Sequence, residues 1–404
     1  MAFSQSHGNL GDARTALTML IPLRYNIRHL ATRWKATGLT AGTFGLVVAT
    51  FIISMSLAEG IERALTKTGN PLNVIILRQG AQAEGQSQLT REQYHIVRSA
   101  PGIAHAPTGE PLAAPEILTL VNRPRNNGKP ANVQIRGVEK ASYTLRPAVR
   151  IVEGRGFRPG MREAIVARAV ASRFQGFDLG DRPRLGRGEF TVVGIFDAEG
   201  TAYDSEVWAD AREVMQEFDR FDYSTAVVRA LDLASVDALR DYVARDRRLK
   251  LIAQDEVQYY NEQTKAARPV KAFAGFLAMT MSIGACFAGM NTMYGNVANR
   301  VREIGTLRIL GFTPRAVLTS FLIESVCLAL IGGALGCVLA LPINGLATGT
   351  TNFASFSEIL FYFTITPGLM LKGLAFAAFM GLAGGFPPAW SASRQPVLAA
   401  LREL

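Results

Sequence analysis

The stretch Arg300-Val301-Arg302-Glu303-Ile304-Gly305-Thr306-Leu307-Arg308-Ile309-Leu310-Gly311-Phe312-Thr313-Pro314-Arg315 lies between two long apolar runs. Ile304, Leu307 and Gly311 recur at helical spacing, while Arg302, Glu303 and Arg308 fall elsewhere around the same helix. A connection that only reversed the chain between two membrane spans would need no such periodicity. Two readings stand side by side. One is a basic loop that merely orients the protein in the bilayer; the other is a short helix that offers an apolar and charged surface to a cytoplasmic partner.

The flanking runs supply the membrane reading. Residues 38–58 carry no charge, and at ~1.5 Å per residue such a helix crosses a hydrocarbon core of ~30 Å. It starts too far from the terminus for a cleaved signal peptide, so it is read as a retained span. Residues 269–298, 316–345 and 367–390 form three further spans. Ahead of the first, residues 1–37 form a cytoplasmic segment in which Arg24, Arg28, Arg33 and Lys35 sit among Leu, Ile and Trp34. That pattern predicts an interfacial amphipathic helix on the inner leaflet. Four Lys or Arg (Arg24, Arg28, Arg33 and Lys35) lie close before the first span, four lie in 299–315, two (Arg394 and Arg402) lie in the 391–404 tail, and the 346–366 loop has none. The charge rule for short loops therefore places both termini and the 299–315 segment in the cytoplasm, and the 346–366 loop outside.

Residues 59–268 have the composition of a folded soluble domain, and the topology places them outside the cytoplasm. Asn73-Val74-Ile75-Ile76-Leu77 reads as a buried strand, and Thr90 with Gln93 three residues on as a helix start. Asn127-Gly128 between 116–121 and 131–138 reads as a hairpin. Strand signals at 190–196 and 226–229 alternate with helix signals at 209–218 and 235–245. The expected fold class is thus a membrane protein of four transmembrane α-helices, with an α+β extracytoplasmic domain inserted between helices 1 and 2.

These residues carry a resemblance. Arg302-Glu303-Ile304-Gly305, Leu307-Arg308 and Gly311 between two apolar helices are similar to the coupling segment of MacB/FtsX-type ABC permeases. The lead-in Pro22-Leu23-Arg24-Tyr25-Asn26-Ile27-Arg28 and the close Pro388-Ala389-Trp390-Ser391-Ala392-Ser393-Arg394-Gln395-Pro396-Val397 resemble the ends of that family. Ile309 departs from it, standing where alanine is common. The resemblance implies an ATPase-coupling role for Arg302, Glu303, Ile304, Gly305, Leu307, Arg308 and Gly311. It implies a cytoplasmic ABC ATPase subunit that binds ATP and Mg, a second permease copy or paralogue, and contact with membrane lipid. An extracytoplasmic adaptor with an outer-membrane exit duct is a further partner it suggests. It places the chain in the cell inner membrane, as a subunit that passes motion outward for export or envelope transport of lipid, lipoprotein, peptide or drug. The alternative within the same family is a signalling scaffold that activates an envelope hydrolase and transports nothing.

The chain's own chemistry narrows the rest. The net charge of +10 suggests nucleic acid, but many of the basic residues flank apolar runs and nucleic acid is not an expected partner. There is no Gly-x-x-x-x-Gly-Lys-[Ser/Thr], so this sequence holds no phosphate-cradling loop of that kind and is read as a non-catalytic permease with no bound cofactor. His95 and His105 lack a metal-ligand neighbourhood, and no catalytic or metal site is expected. Cys286, Cys327 and Cys337 all lie in apolar runs, so the insert folds without disulfides. Glu324 and Asn291 are polar groups inside expected spans. A lone charge at mid-membrane costs about 2.5–3.5 kcal/mol on insertion scales, so Glu324 should be paired to Arg308 or another helix end, or act as a switch contact. Gly38 and Gly42, Gly332 and Gly336, and Gly381 and Gly385 are small-x-x-x-small pairs expected to let helices approach closely.

Overall fold

A computed structural model describes residues 34–246, 248–264, 268–351 and 358–395. The chain divides into two units, one of residues 1–56, 271–344 and 365–404, the other of 57–270 and 345–364. Helix α1 (Trp34–Thr66) belongs to both, since its residues from Leu57 onward group with the second unit. The interfacial helix expected within 1–37 falls almost wholly outside the described residues; only its last residues appear, as the start of α1.

The second unit then runs β1 (Asn73–Arg78), α2 (Arg91–Arg98), β2 (Ala113–Pro124), β3 (Pro130–Val138), α3 (Lys140–Leu145) and β4 (Arg150–Gly154). It continues with β5 (Glu163–Ala167), α4 (Arg168–Ala171), the small hairpin β6 (Arg184–Leu185) and β7 (Gly188–Glu189), β8 (Thr191–Asp197) and β9 (Glu206–Asp210). The elements α5 (Ala211–Glu217), β10 (Thr225–Arg229), α6 (Leu233–Arg245), β11 (Leu251–Asp255) and α7 (Glu256–Gln263) complete this stretch. Nine strands form one mixed sheet in the order β11-β1-β10-β2-β3-β9-β5-β8-β4. Pairing is antiparallel except for β3 with β9 and β5 with β8.

The unbroken apolar run in β1 follows from burial on both faces. Val74 and Ile76 point to one core with Tyr94, Val97, Val236, Leu239 and Val243. Ile75 and Leu77 point to the other, around Phe177, Phe196, Trp208 and Val227. Alternation with a period of two delivers neighbouring residues to opposite layers. Caps set the helix starts. Thr90 accepts from the Gln93 amide while the Gln93 side chain returns the bond, a complete capping box. Asp210 accepts from the amides of Arg212 and Glu213 to open α5.

In the first unit α8 (Arg268–Ala298), the short α9 (Val301–Ile309) and α10 (Pro314–Ala340) follow. The strands β12 (Ala347–Thr351) and β13 (Glu358–Tyr362) belong to the second unit, and α11 (Pro367–Ser393) returns to the first. Among the described residues four helices are long and apolar enough to cross a membrane: 37–66, 272–298, 314–343 and 367–393. The 346–366 stretch, read from sequence as a plain loop, contains an antiparallel hairpin with Ala347 opposite Tyr362 and Thr351 opposite Glu358.

Glycines bring these helices together, but not all of the expected ones. A Cβ on Gly336 would lie 2.6 Å from the Gly45 carbonyl oxygen, and one on Gly332 2.6 Å from that of Ala41. Gly381 and Gly385 meet Ala329 and Ser325 in the same way. Gly38 and Gly42 do not: a Cβ at either would meet nothing within 4 Å among the described residues. The stripe of α1 that packs runs through Ala41, Phe44, Gly45, Val48 and Ile52, which leaves Gly42 to one side and Gly38 a turn short. Gly45, not singled out from sequence, takes their place.

Candidate functional site

The segment between α8 and α10 folds as a helix whose two faces differ. Ile304 and Gly305 are buried, Ile304 in a cluster with Met293, Val297, Val317, Phe321, Ala389 and Ala392 from the ends of three long helices. Leu307 is half-buried. The opposite stripe, Arg302, Thr306, Ile309 and Leu310, is exposed, with Ile309 at 57% and Leu310 at 71%. These positions recur every three or four residues and so share one side of the helix. The helix stops through a left-handed glycine: Gly311 has φ +96°, its amide donates to the Arg308 carbonyl and that of Phe312 to the Leu307 carbonyl. This paired closure is the usual glycine-ended helix terminus.

Three expected coupling charges take distinct places. Arg302 faces out. Glu303 receives a hydrogen bond from Arg300 Nε at 3.0 Å. Arg308 is half-buried and turns back to the Phe312 carbonyl at 3.4 Å, so it does not share the outward stripe. Ile304 and Gly305 support the helix from behind. Sequence reasoning missed Ile309 and Leu310 as surface residues, although Ile309 was the position that departed from the family pattern.

Arg300 was missed as well. It precedes the first turn of α9, and its Nη1 donates to Glu324 Oε2 at 2.9 Å. Its guanidinium also lies over the Phe321 ring, 5.2 Å from the centroid. Glu324 is thus paired to a helix end, as expected, but to Arg300 at the start of α9 and not to Arg308 near its close. A buried carboxylate with a charged, hydrogen-bonded partner avoids most of the cost of an isolated charge in an apolar setting. Asn291, the other expected intramembrane polar residue, is exposed on α8, and its neighbour Thr292 bonds Thr40 at 2.7 Å instead.

The second unit holds a buried ionic centre with no signature in the sequence. Arg136, 1% exposed, donates to Glu206, Glu116 and Glu84 at 2.7, 2.6 and 2.9 Å. Arg146 donates to the other oxygen of Glu116 and to the Tyr203 hydroxyl. Both guanidinium groups stack near the Tyr203 ring, with centroid distances of 5.5 and 4.9 Å. Burial pushes the Glu84 carboxyl above its usual range, against the pull of Arg136. Burial would do the same to Glu116, but Arg146 and Arg136 outweigh it and hold that carboxyl below its usual range. A cavity of about 50 Å³ beside Glu84, Arg136 and Tyr260 has room for a few waters. The arrangement is a structural knot in the sheet. Among the described residues no cluster of His, Cys, Asp and Glu is placed to hold a metal.

Residues 37–246 match the MacB-like periplasmic core domain and residues 275–397 the FtsX-like permease C-terminal region. A macrolide export ATP-binding/permease protein MacB from Bdellovibrio bacteriovorus is 23% identical over 97% of this chain and 64% of its own length. The MacB protein of Bartonella henselae is 27% identical over 56% of this chain and 34% of its own. A pyoverdine export ATP-binding/permease protein PvdT from Pseudomonas entomophila is 28% identical over 62% and 40%. The chain thus spans between about a third and two thirds of the length of these relatives. The periplasmic region of MacB from Actinobacillus actinomycetemcomitans aligns over 48% of this chain and 92% of that one, with 10% identity and a TM-score of 0.37. The extracellular domain of the transporter YknZ aligns over 45% and 99%, with 14% identity and a TM-score of 0.35. With a family match over more than half its length on one side and a permease match on the other, the chain belongs to the MacB/FtsX-type ABC transporter permeases, membrane proteins with an extracytoplasmic domain.

Proposed function

We propose that this chain is the membrane subunit of an ABC complex in which ATP closure of an ATPase moves α9, and the spans pass that motion to the extracytoplasmic domain. The ATPase, with its ATP and Mg, comes from a cytoplasmic partner, and two permease copies or paralogues complete the complex. The observation that carries this reading is the two-faced α9. Its inner side is seated by Ile304, Gly305 and the Arg300–Glu324 pair, and its outer side offers Ile309 and Leu310 beside Arg302. Two large exposed aliphatic side chains on a short helix next to charge are what a docking surface needs and what a passive loop does not.

The distribution of Lys and Arg supports cytoplasmic termini and a cytoplasmic α9. ATP drives the cycle only through its preference for the closed ATPase, since a ligand indifferent to state shifts nothing. Relatives named for macrolide and pyoverdine export support export, or envelope transport of a lipid, lipoprotein, peptide or drug, with an adaptor and exit duct as outer partners. The test replaces the outward stripe: Arg302→Glu with Ile309→Asp and Leu310→Asp. Retention of the ATPase should fall by at least about tenfold, equivalent to about 1.4 kcal/mol, while the permease stays folded in detergent. Undiminished ATPase binding by this variant would show that α9 only orients the protein.

A further inference from the structure

The connection between α10 and α11 is built as part of the extracytoplasmic domain. Antiparallel neighbours in a helical bundle need only about 2–8 linking residues, yet residues 341–366 form a longer path with a paired hairpin. Leu360 and Phe361, 3% and 2% exposed, sit in the same apolar core as Trp208 and Val227. The Leu360 amide donates to Ser205 Oγ at 2.7 Å. The Tyr362 carbonyl oxygen lies 2.6 Å from where a Cβ on Gly60 would be, so the hairpin also rests against the domain end of α1.

Glu358 makes this attachment ionic. Its side chain is 3% exposed. Arg125 Nε and Nη2 donate to its Oε2 at 3.0 and 2.8 Å, and Arg173 Nη2 donates to its Oε1 at 2.9 Å. The two arginines are held in register by their own backbones, because the Asn126 amide donates to the Arg173 carbonyl at 2.8 Å and Arg125 bridges to Phe174. The seat also needs a glycine: a Cβ on Gly349 would fall 2.0 Å from Glu358 Oε1. A surface ion pair is screened and easily exchanged for water, whereas removal of one partner from a buried pair leaves an unpaired charge behind. Glu358 is the buried member here, while Arg125 and Arg173 keep 25% and 22% of their side chains exposed, so opening the clasp would strand the carboxylate.

We propose that Glu358 is a positioning residue for coupling: the Glu358–Arg125–Arg173 clasp makes the α10–α11 connection a load path into the extracytoplasmic domain, additional to the covalent continuations of α1 and α8. The inference rests on the mechanotransmission reading above and assigns a task to a connection that otherwise only reverses the chain.

The experiment uses the full-length permease with its ATPase in lipid nanodiscs and reads the ATP-dependent change in amide hydrogen exchange across residues 57–270. Glu358→Gln and, separately, Gly349→Ala should reduce that change severalfold while ATPase binding stays near wild type and the domain, though less stable, remains folded at the assay temperature. A Ser205→Cys/Leu360→Cys disulfide in the Glu358→Gln background should restore the change when oxidised and lose it again on reduction. Three results overturn the clasp: a wild-type exchange response in both single variants, a loss that merely tracks unfolding of the domain, or a disulfide that forms without restoring the response. If the unsubstituted complex shows no ATP-dependent change in the domain, the mechanotransmission reading itself is defeated, and the clasp with it.

Discussion

At the scale of single residues, the extracytoplasmic domain is tied by charges that the solvent cannot reach. Glu116 bridges Arg136 and Arg146, and all three side chains are at most 1% exposed. Glu116→Gln leaves two buried guanidinium groups short of a counter-charge and should cost about 3–5 kcal/mol in denaturant unfolding. The exposed Arg187–Asp219 pair makes the contrast, since breaking it should cost less than about 1 kcal/mol. Asp204 gives a pH signature. Burial raises its pKa from 3.8 to about 6, although the amides of Ala198 and Gly200 donate to its carboxylate at 2.7 Å and partly offset this. The folded state therefore holds that proton more tightly than the unfolded chain. The stabilisation is complete below pH 3.8 and lost as pH rises through about 6. Lowering pH from about 7.5 to 5.5 should raise domain stability by roughly 0.8 kcal/mol, the first part of the roughly 3 kcal/mol that a shift of this size supplies by about pH 3.8. In Asp204→Asn the gain should shrink; an equal gain in that variant would assign it to other groups.

At the scale of elements, the transmembrane helices are set by where a side chain would have no room. With lipid removing the hydrophobic drive between helices, close backbone approach is what holds α1 on α10. Gly336 allows it, with Gly45 and Val48 directly opposite. Gly336→Leu should separate the two helices and lower the melting temperature of the detergent-solubilised protein by many degrees. Gly42→Leu, facing open space among the described residues, should leave it nearly unchanged. Equal effects from the two would mean that the pairing is not as described. The same logic governs α9, where burial of Ile304 rather than the position of the charges decides which face turns outward.

At the scale of the whole molecule, the domain is assembled from two separated pieces of chain. The segment 57–270 carries the nine-stranded sheet, but Leu360 and Phe361 come from beyond three further helices, α8, α9 and α10, and complete its core. Burying two such side chains is worth about 3–6 kcal/mol, so a fragment of 57–270 should gain roughly that much when 345–364 is joined to it by a flexible linker. Chemical denaturation of the two fragments measures the difference directly. No gain would mean that the hairpin rests on a domain already complete.

Much of this protein is written in its sequence because the determining forces are local. Four charge-poor runs, the Lys and Arg beside them, the Thr90 capping box and the Asn127-Gly128 turn all act over a few residues, and each is legible without knowing the rest. The Arg302–Gly311 stretch likewise announces a helix. Which of its sides faces outward is not local: it depends on the ends of α8, α10 and α11, which together bury Ile304 and leave Ile309 and Leu310 exposed. The partners of Glu324, Glu116 and Glu358 lie 24, 20 and 233 residues away, and Glu116 and Glu358 each take a second arginine as well. No spacing rule links such pairs; only packing, which strips water from the charges and forces each to find its counter-charge, decides them.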